Sequence, residues 1–222
     1  MAGDTSKDMY GATALQADRI QSLDEGFTIG TSLNTNGAVY HWIAFGAGDA
    51  LDVGAYQGNG TSQTISTVGF STDMLWLANA STSSMRWESS LSSNTYDFYT
   101  GNYSTSGITS LTSSGFSVDS NSSVNQNGQT LHYLAFNQAS NYFSLGSYSG
   151  NGASNRNITG VGFEPEFVMV RELNNSNWAN IKTESSDLQC RWLGNFVGWD
   201  QTYAGYPGAH KPMDFKLAPI PN

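Results

Sequence analysis

The groups in this chain that could act on a substrate are a few carboxylates, two imidazoles in matching contexts and one thiol, and most of them come in pairs. Glu88-Ser89-Ser90 recurs as Glu184-Ser185-Ser186. Two carboxylates about 5–10 Å apart across a cleft would suit glycoside hydrolysis. These two, however, repeat one position, so a duplicated structural role is expected of them. His41 and His132 likewise share a context (His-Trp-Ile-Ala-Phe and His-Tyr-Leu-Ala-Phe), and what could be read as a metal pair is expected to be one strand copied. Asp119-Ser-Asn121-Ser-Ser123 opens like a calcium loop, but Val124 stands where that loop needs glycine and no bidentate Glu closes it. Asp49 and Asp52 could join a lectin-type calcium site, although two loop carboxylates are more often simply solvated. Cys190 beside Arg191 could be an activated thiol, and a small buried hydrophobe is the expected reading. The hydrolase elbow, the phosphate-binding loop, the zinc-protease helix motif and the dinucleotide fingerprint are all missing from the sequence. No catalytic residue, cofactor site or metal site is therefore expected, and the chain reads as a non-enzyme. Aromatic residues in or near turns could stack on sugar rings or on a partner, and Tyr56, Tyr148, Trp178 and Trp199 are the candidates.

The elements that would position these residues are short strands. Of 222 residues only 12% are charged, 24 are Gly and 13% are aromatic, with Ser, Thr and Asn filling most of the rest. Turn formers alternating with aromatic and β-branched residues favour strands joined by tight turns. No three-turn amphipathic helix pattern occurs. The formal charge of −9 includes nine scattered Lys and Arg, so there is no basic stripe for nucleic acid or an anionic membrane. Met-Ala-Gly-Asp-Thr-Ser-Lys-Asp lacks the apolar segment of a signal peptide, and no apolar run is long enough for a spanning helix. With one cysteine, an intramolecular disulfide is ruled out.

Self-similarity at a period of about ninety residues organises the chain. Ile20-Gln-Ser-Leu and Gly26-Phe27-Thr-Ile29 recur as Ile108-Thr-Ser-Leu and Gly115-Phe116-Ser-Val118. Asn36-Gly37 with Tyr40-His41-Trp42-Ile43-Ala44-Phe45 recurs as Asn127-Gly128 with Leu131-His132-Tyr133-Leu134-Ala135-Phe136. Val53-Gly54-Ala-Tyr56-Gln-Gly58-Asn59-Gly60 recurs as Leu145-Gly146-Ser-Tyr148-Ser-Gly150-Asn151-Gly152, and Val68-Gly69-Phe70 as Val161-Gly162-Phe163. The offset grows from 89 at Gly26/Gly115 to 93 at Phe70/Phe163, which places the length differences in turns. Asn-Gly between apolar runs predicts a hairpin whose central residues both take positive φ. The strands after it should carry Tyr40, Trp42 and Ala44 on one face and His41, Ile43 and Phe45 on the other, covered on both sides. Further strands are expected at Asp73–Leu77 and Glu166–Val170.

The ordered series Gly-x-Tyr-x-Gly-Asn-Gly (146–152), Gly-Phe-x-Pro-x-Phe-Val-x-Val (162–170), Gly-Phe-x-Val (115–118) and the Asn127-Gly128 to Ala135-Phe136 segment resembles a repeated domain of tailed-phage structural proteins. The resemblance covers residues 15–183 and marks a scaffold; the first copy departs from it at Gly69-Phe70-Ser-Thr-Asp73, which lacks the proline. It implies a concanavalin-like or jelly-roll β-sandwich and a place on the virion surface as a capsid decoration protein. Its partners would be copies of itself, in a trimer for instance, and the major capsid protein. The alternative is a tail or fibre adhesin for host glycan. Two phases fit the repeat. The units are either 1–89 and 90–186, or one complete unit at 46–136 with a composite of 1–45 and 143–186. In the second phase the orphan halves pair with each other or with a neighbouring subunit. Similarity fades from about Asp187, and four of the five prolines lie beyond it. The segment 187–222 thus reads as an extended intersubunit arm, with Pro207, Pro212, Phe215 and Pro219 as its contacts.

Overall fold

The computed structural model describes residues 5–192 apart from 9–13, 18, 39, 41, 82–84, 99, 101, 139–141, 173–178 and 184–190. The described chain is all-β. Its strands are β1 (Thr5–Ser6), β2 (Gln16–Ala17), β3 (Ile20–Leu23), β4 (Gly26–Ile29), β5 (Leu51–Gln57), β6 (Gln63–Ile65), β7 (Met74–Asn79), β8 (Arg86–Ser89), β9 (Thr95–Asp97), β10 (Tyr103–Ser104), β11 (Ile108–Thr112) and β12 (Gly115–Val118). One helical turn, α1 (Ser122–Asn125), precedes β13 (Thr130–Phe136), and β14 (Phe167–Val170), β15 (Asn180–Thr183) and β16 (Arg191–Trp192) follow.

Two antiparallel sheets form a sandwich from strands between Leu51 and Phe136. One has the order β10-β9-β8-β7-β13-β5 and the other β11-β12-β6. Between them lie Ile65, Val68, Leu75, Leu77, Ile108, Phe116, Val118, Val124, Tyr133 and Ala135. The pattern follows from strand geometry. On β13, Tyr133 and Ala135 point into this core and the fully buried Leu131 lies on the same face, whereas Leu134 and Phe136 point to the other face. The β7 run Met-Leu-Trp-Leu is buried on both faces, as a continuous apolar strand in the middle of a sheet must be. Its second face joins Met74, Trp76, Met85, Trp87, Tyr96, Phe98 and Phe136 in a cluster onto which Phe143, Leu145 and Met169 pack. Strands on both sides of residue 89 share this body, since β5 and β7 flank β13.

The other two fragments of the repeat take the local shapes of their counterparts. The β3–β4 hairpin pairs Ile20 with Ile29 as β11–β12 pairs Ile108 with Val118; an irregularity between Ile108 and Ser110 then shifts the register, so Leu23 faces Gly26 where Leu111 faces Phe116. The meander β14-β15-β16 reproduces β7-β8-β9: Phe167 and Val170 face Thr183 and Asn180 as Met74 and Leu77 face Ser89 and Arg86. In this ladder Lys182 stands opposite Val168 where Glu88 stands opposite Leu75. The ladder therefore separates Glu88 from the Glu184 that the sequence pairs with it.

Two expectations are corrected. The strand expected at Tyr40–Phe45 is absent among its described residues. Strand geometry there needs ladder partners, and β13 has them on both sides. The Asn-Gly turns are also not two-residue hairpins with two left-handed residues. Only Gly37 (φ 78°) and Gly128 (φ 74°) are left-handed, each within a turn closed by Ala38 N–H to the Thr35 carbonyl or Gln129 N–H to the Gln126 carbonyl, both 3.1 Å. The second turn links α1 to β13, because Asn125 anchors the chain just before it. Phe45 and Phe136, which hold the same place in the repeat, touch edge to face at 5.9 Å.

Candidate interaction surface

The polar residues singled out in the sequence are mostly spent on holding strands together. Glu88 is buried, 3.4 Å from the Thr95 hydroxyl that donates to it, and burial pushes its carboxyl up to about 7. Arg86 and Asp97, a registered pair of β8 and β9, form an ion pair, and Arg86 Nε donates to Ser123 Oγ at 3.2 Å. Asp52 accepts the Tyr133 hydroxyl at 2.9 Å. Asp119 accepts the N–H groups of Gly107 (2.9 Å) and Asn121 (2.8 Å), and Asn121 caps α1. The residues that began like a calcium loop thus shape a turn. Among the described residues no group of three or more His, Cys, Asp or Glu could hold a metal ion.

Asn125 is a polar centre that sequence reasoning missed. Fully buried, its Oδ1 accepts from Asn59 N–H (2.9 Å) and Gln63 Nε2 (2.7 Å). Its Nδ2 donates to the carbonyls of Asp119 (2.8 Å) and Thr61 and to Asn59 Oδ1 (3.1 Å). The Gly-Asn-Gly turn, α1 and the start of β6 are pinned together by this one side chain. An Asn two residues before an Asn-Gly turn is the only sign of it in the sequence. Arg171, also unforeseen, stands over the rings of Trp87 (5.6 Å) and Tyr96 (5.0 Å), and its Nη1 donates to the Asp97 carbonyl at 3.0 Å. It fastens the second copy of the repeat to the six-stranded sheet.

The candidate aromatic contacts divide. Tyr56 is held: its hydroxyl donates to the Val124 carbonyl, its ring meets Phe116 edge-on at 5.6 Å, and burial pushes its pKa up. Tyr148, the matching residue, is exposed with the Arg156 guanidinium 5.5 Å above its ring. Trp178, Trp199, Pro207, Pro212, Phe215 and Pro219 lie outside the described residues, as do His41, Glu184 and Cys190.

The exterior also carries large apolar side chains. Trp42 is 68% exposed where its counterpart Tyr133 is 3%, and Phe27 is 37% exposed where Phe116 is fully buried. Ile29, Tyr40, Ile158, Val168 and Val170 are exposed, while Val118, Leu131, Ile65, Leu75 and Leu77 in the corresponding places are core. Isolated exposed hydrophobes mean little, but a set that is core elsewhere in the same chain marks a surface built to be covered.

The family match covers residues 46–139. It is to a domain of unknown function (DUF7483), and its limits bracket the sandwich from β5 to β13. No curated protein and no solved structure matches the chain.

Proposed function

We propose that the chain is a virion structural protein of a tailed bacteriophage, a capsid decoration protein that docks on the shell and on copies of itself and performs no chemistry. The observation that carries this reading is the use made of the reactive groups. Glu88, Asp52, Asp119 and Tyr56 each hold the fold together through Thr95, Tyr133, the Gly107–Asn121 turn and Val124. A scaffold whose polar groups are engaged internally acts through its outside. The tailed-phage motif series supports placing that outside on a particle. Docking would bury more than about 1,000 Å² per stable contact. The test is imaging of intact particles that carry or lack the chain. Paired sandwich densities on the outer shell, and earlier heat disruption of particles without the chain, are expected. Density on the tail alone would remove the decoration role.

A second reading, a glycan-binding tail or fibre adhesin, is favoured by Tyr148, an exposed ring with a cation over it. Specific glycan-array binding that Tyr148→Ala abolishes would select this reading over the first.

A further inference from the structure

We propose that the two ends of this chain complete a second sandwich in cis, Tyr40 and residues 42–45 pairing as a strand with residues 143–148 in the register that joins β13 to β5. The first sandwich supplies the template. There Leu131 faces Tyr56, Tyr133 faces Gly54, Leu134 faces Val53 and Phe136 faces Leu51. Carried over by the repeat, Tyr40 meets Tyr148, Trp42 meets Gly146, Ile43 meets Leu145 and Phe45 meets Phe143.

Glycines carry much of the argument. A Cβ on Gly54 would lie 2.8 Å from Cε1 of Tyr133 and closer still to its Cζ, because the tyrosine ring crosses the strand there. A Cβ on Gly58 would lie 2.8 Å from the Gln126 carbonyl carbon. Gly146 and Gly150 hold the same places, have no left-handed φ, and nothing lies within 4 Å of a Cβ on either. Their neighbours Ser147 and Ser149 have diverged from Ala55 and Gln57, whereas the glycines have not. Glycine at 146 and 150 suits a chain that receives Trp42 and the Thr35 carbonyl, the counterparts of Tyr133 and Gln126.

Each half already makes some of the contacts of that arrangement. Phe27 meets Trp42 edge-on at 5.6 Å and 72°, the geometry of Phe116 on Tyr133 at 5.3 Å and 72°. Phe45 lies 6.4 Å from Phe167, the counterpart of Met74, which faces Phe136 in the β13–β7 ladder. Both halves also rest on one face of the six-stranded sheet. Phe45 touches Trp76 at 6.4 Å, and Phe143, Leu145 and Met169 pack on the same cluster. This shared seat favours the chain's own ends over those of a second copy. Pairing would give Trp42, Tyr40, Val168 and Val170 the cover that their counterparts have.

Cysteines placed opposite each other in an antiparallel pair come within disulfide reach. The experiment uses the full chain in a Cys190→Ser background, with Ile43→Cys and Leu145→Cys combined, and Leu134→Cys with Val53→Cys as the control pair. Mild oxidation is expected to link 43 to 145 within one chain, read by non-reducing electrophoresis and peptide mass spectrometry. Disulfide-linked dimers in its place would assign the strand to a second copy and overturn the proposal. So would no cross-link where the control pair forms one. Independently, Gly146→Ala is expected to lower the unfolding midpoint by about 5 °C while Ser147→Ala leaves it unchanged. A neutral Gly146→Ala would also sink the idea. Neither readout depends on any role on a particle.

Discussion

Glu88 shows most directly what one side chain does to this fold. Its carboxyl titrates near 7 when folded against an ordinary 4.5, so the folded chain holds that proton more tightly than the unfolded one. Stability is therefore greatest below pH 4.5, falls as pH rises through the interval to 7, and stays reduced above it. Glu88→Gln should raise stability at pH 8 by about 2 kcal/mol and flatten this slope. An unchanged pH dependence of the chemical-denaturation midpoint would show that another group is responsible. Asn125→Ala should cost about 3 kcal/mol, because it leaves the Asn59 and Gln63 donors and the Asp119 and Thr61 carbonyls without their partner. A loss below about 1 kcal/mol in urea melts would contradict its place at the centre. The repeat pointed to a structural role for Glu88 but not to its burial, and Asn125 showed only as an Asn two residues before an Asn-Gly turn. A buried polar residue declares itself through partners distant along the chain, and no local pattern marks Glu88 or Asn125 apart from their solvated kin.

Strands and turns were more readable than sites. The pattern shared by Tyr40–Phe45 and Leu131–Phe136 marked β13, and the apolar residues after Asp73 marked β7, because runs of apolar residues express burial directly. The Asn-Gly pairs marked turns correctly but not their type, since a helical turn on one side admits only one left-handed residue. Gly128→Ala should accordingly destabilise by about 1 kcal/mol, and Asn127→Ala by less, in thermal melts. Equal losses would mean that both residues carry the turn. The segment Tyr40–Phe45 was read as a strand on the same evidence as β13. A strand is a property of neighbours as well as of residues, and those neighbours sit at the far end of the chain.

For the molecule as a whole, the all-β class and the repeat followed from composition and self-similarity. Where one unit ends did not, because a cyclic motif reads alike in every phase, and only pairing across the sheets distinguishes them. Of the segment 187–222 read as an extended arm, Arg191 and Trp192 instead form β16 in the meander, and residues 193–222 lie outside the described residues. Deleting residues 205–222 should leave a body with an unchanged unfolding midpoint but reduce occupancy on the particle. Full occupancy after that deletion would end the idea of an arm.

The contact between Phe45 and Phe136 has one more implication. Equivalent positions meeting each other is the kind of contact that an isologous dimer makes. The duplicated gene product thus carries in one polypeptide the kind of association that two separate subunits would otherwise have to find by diffusion. In an isologous contact the same patch serves both sides, which makes an association of that kind self-limiting.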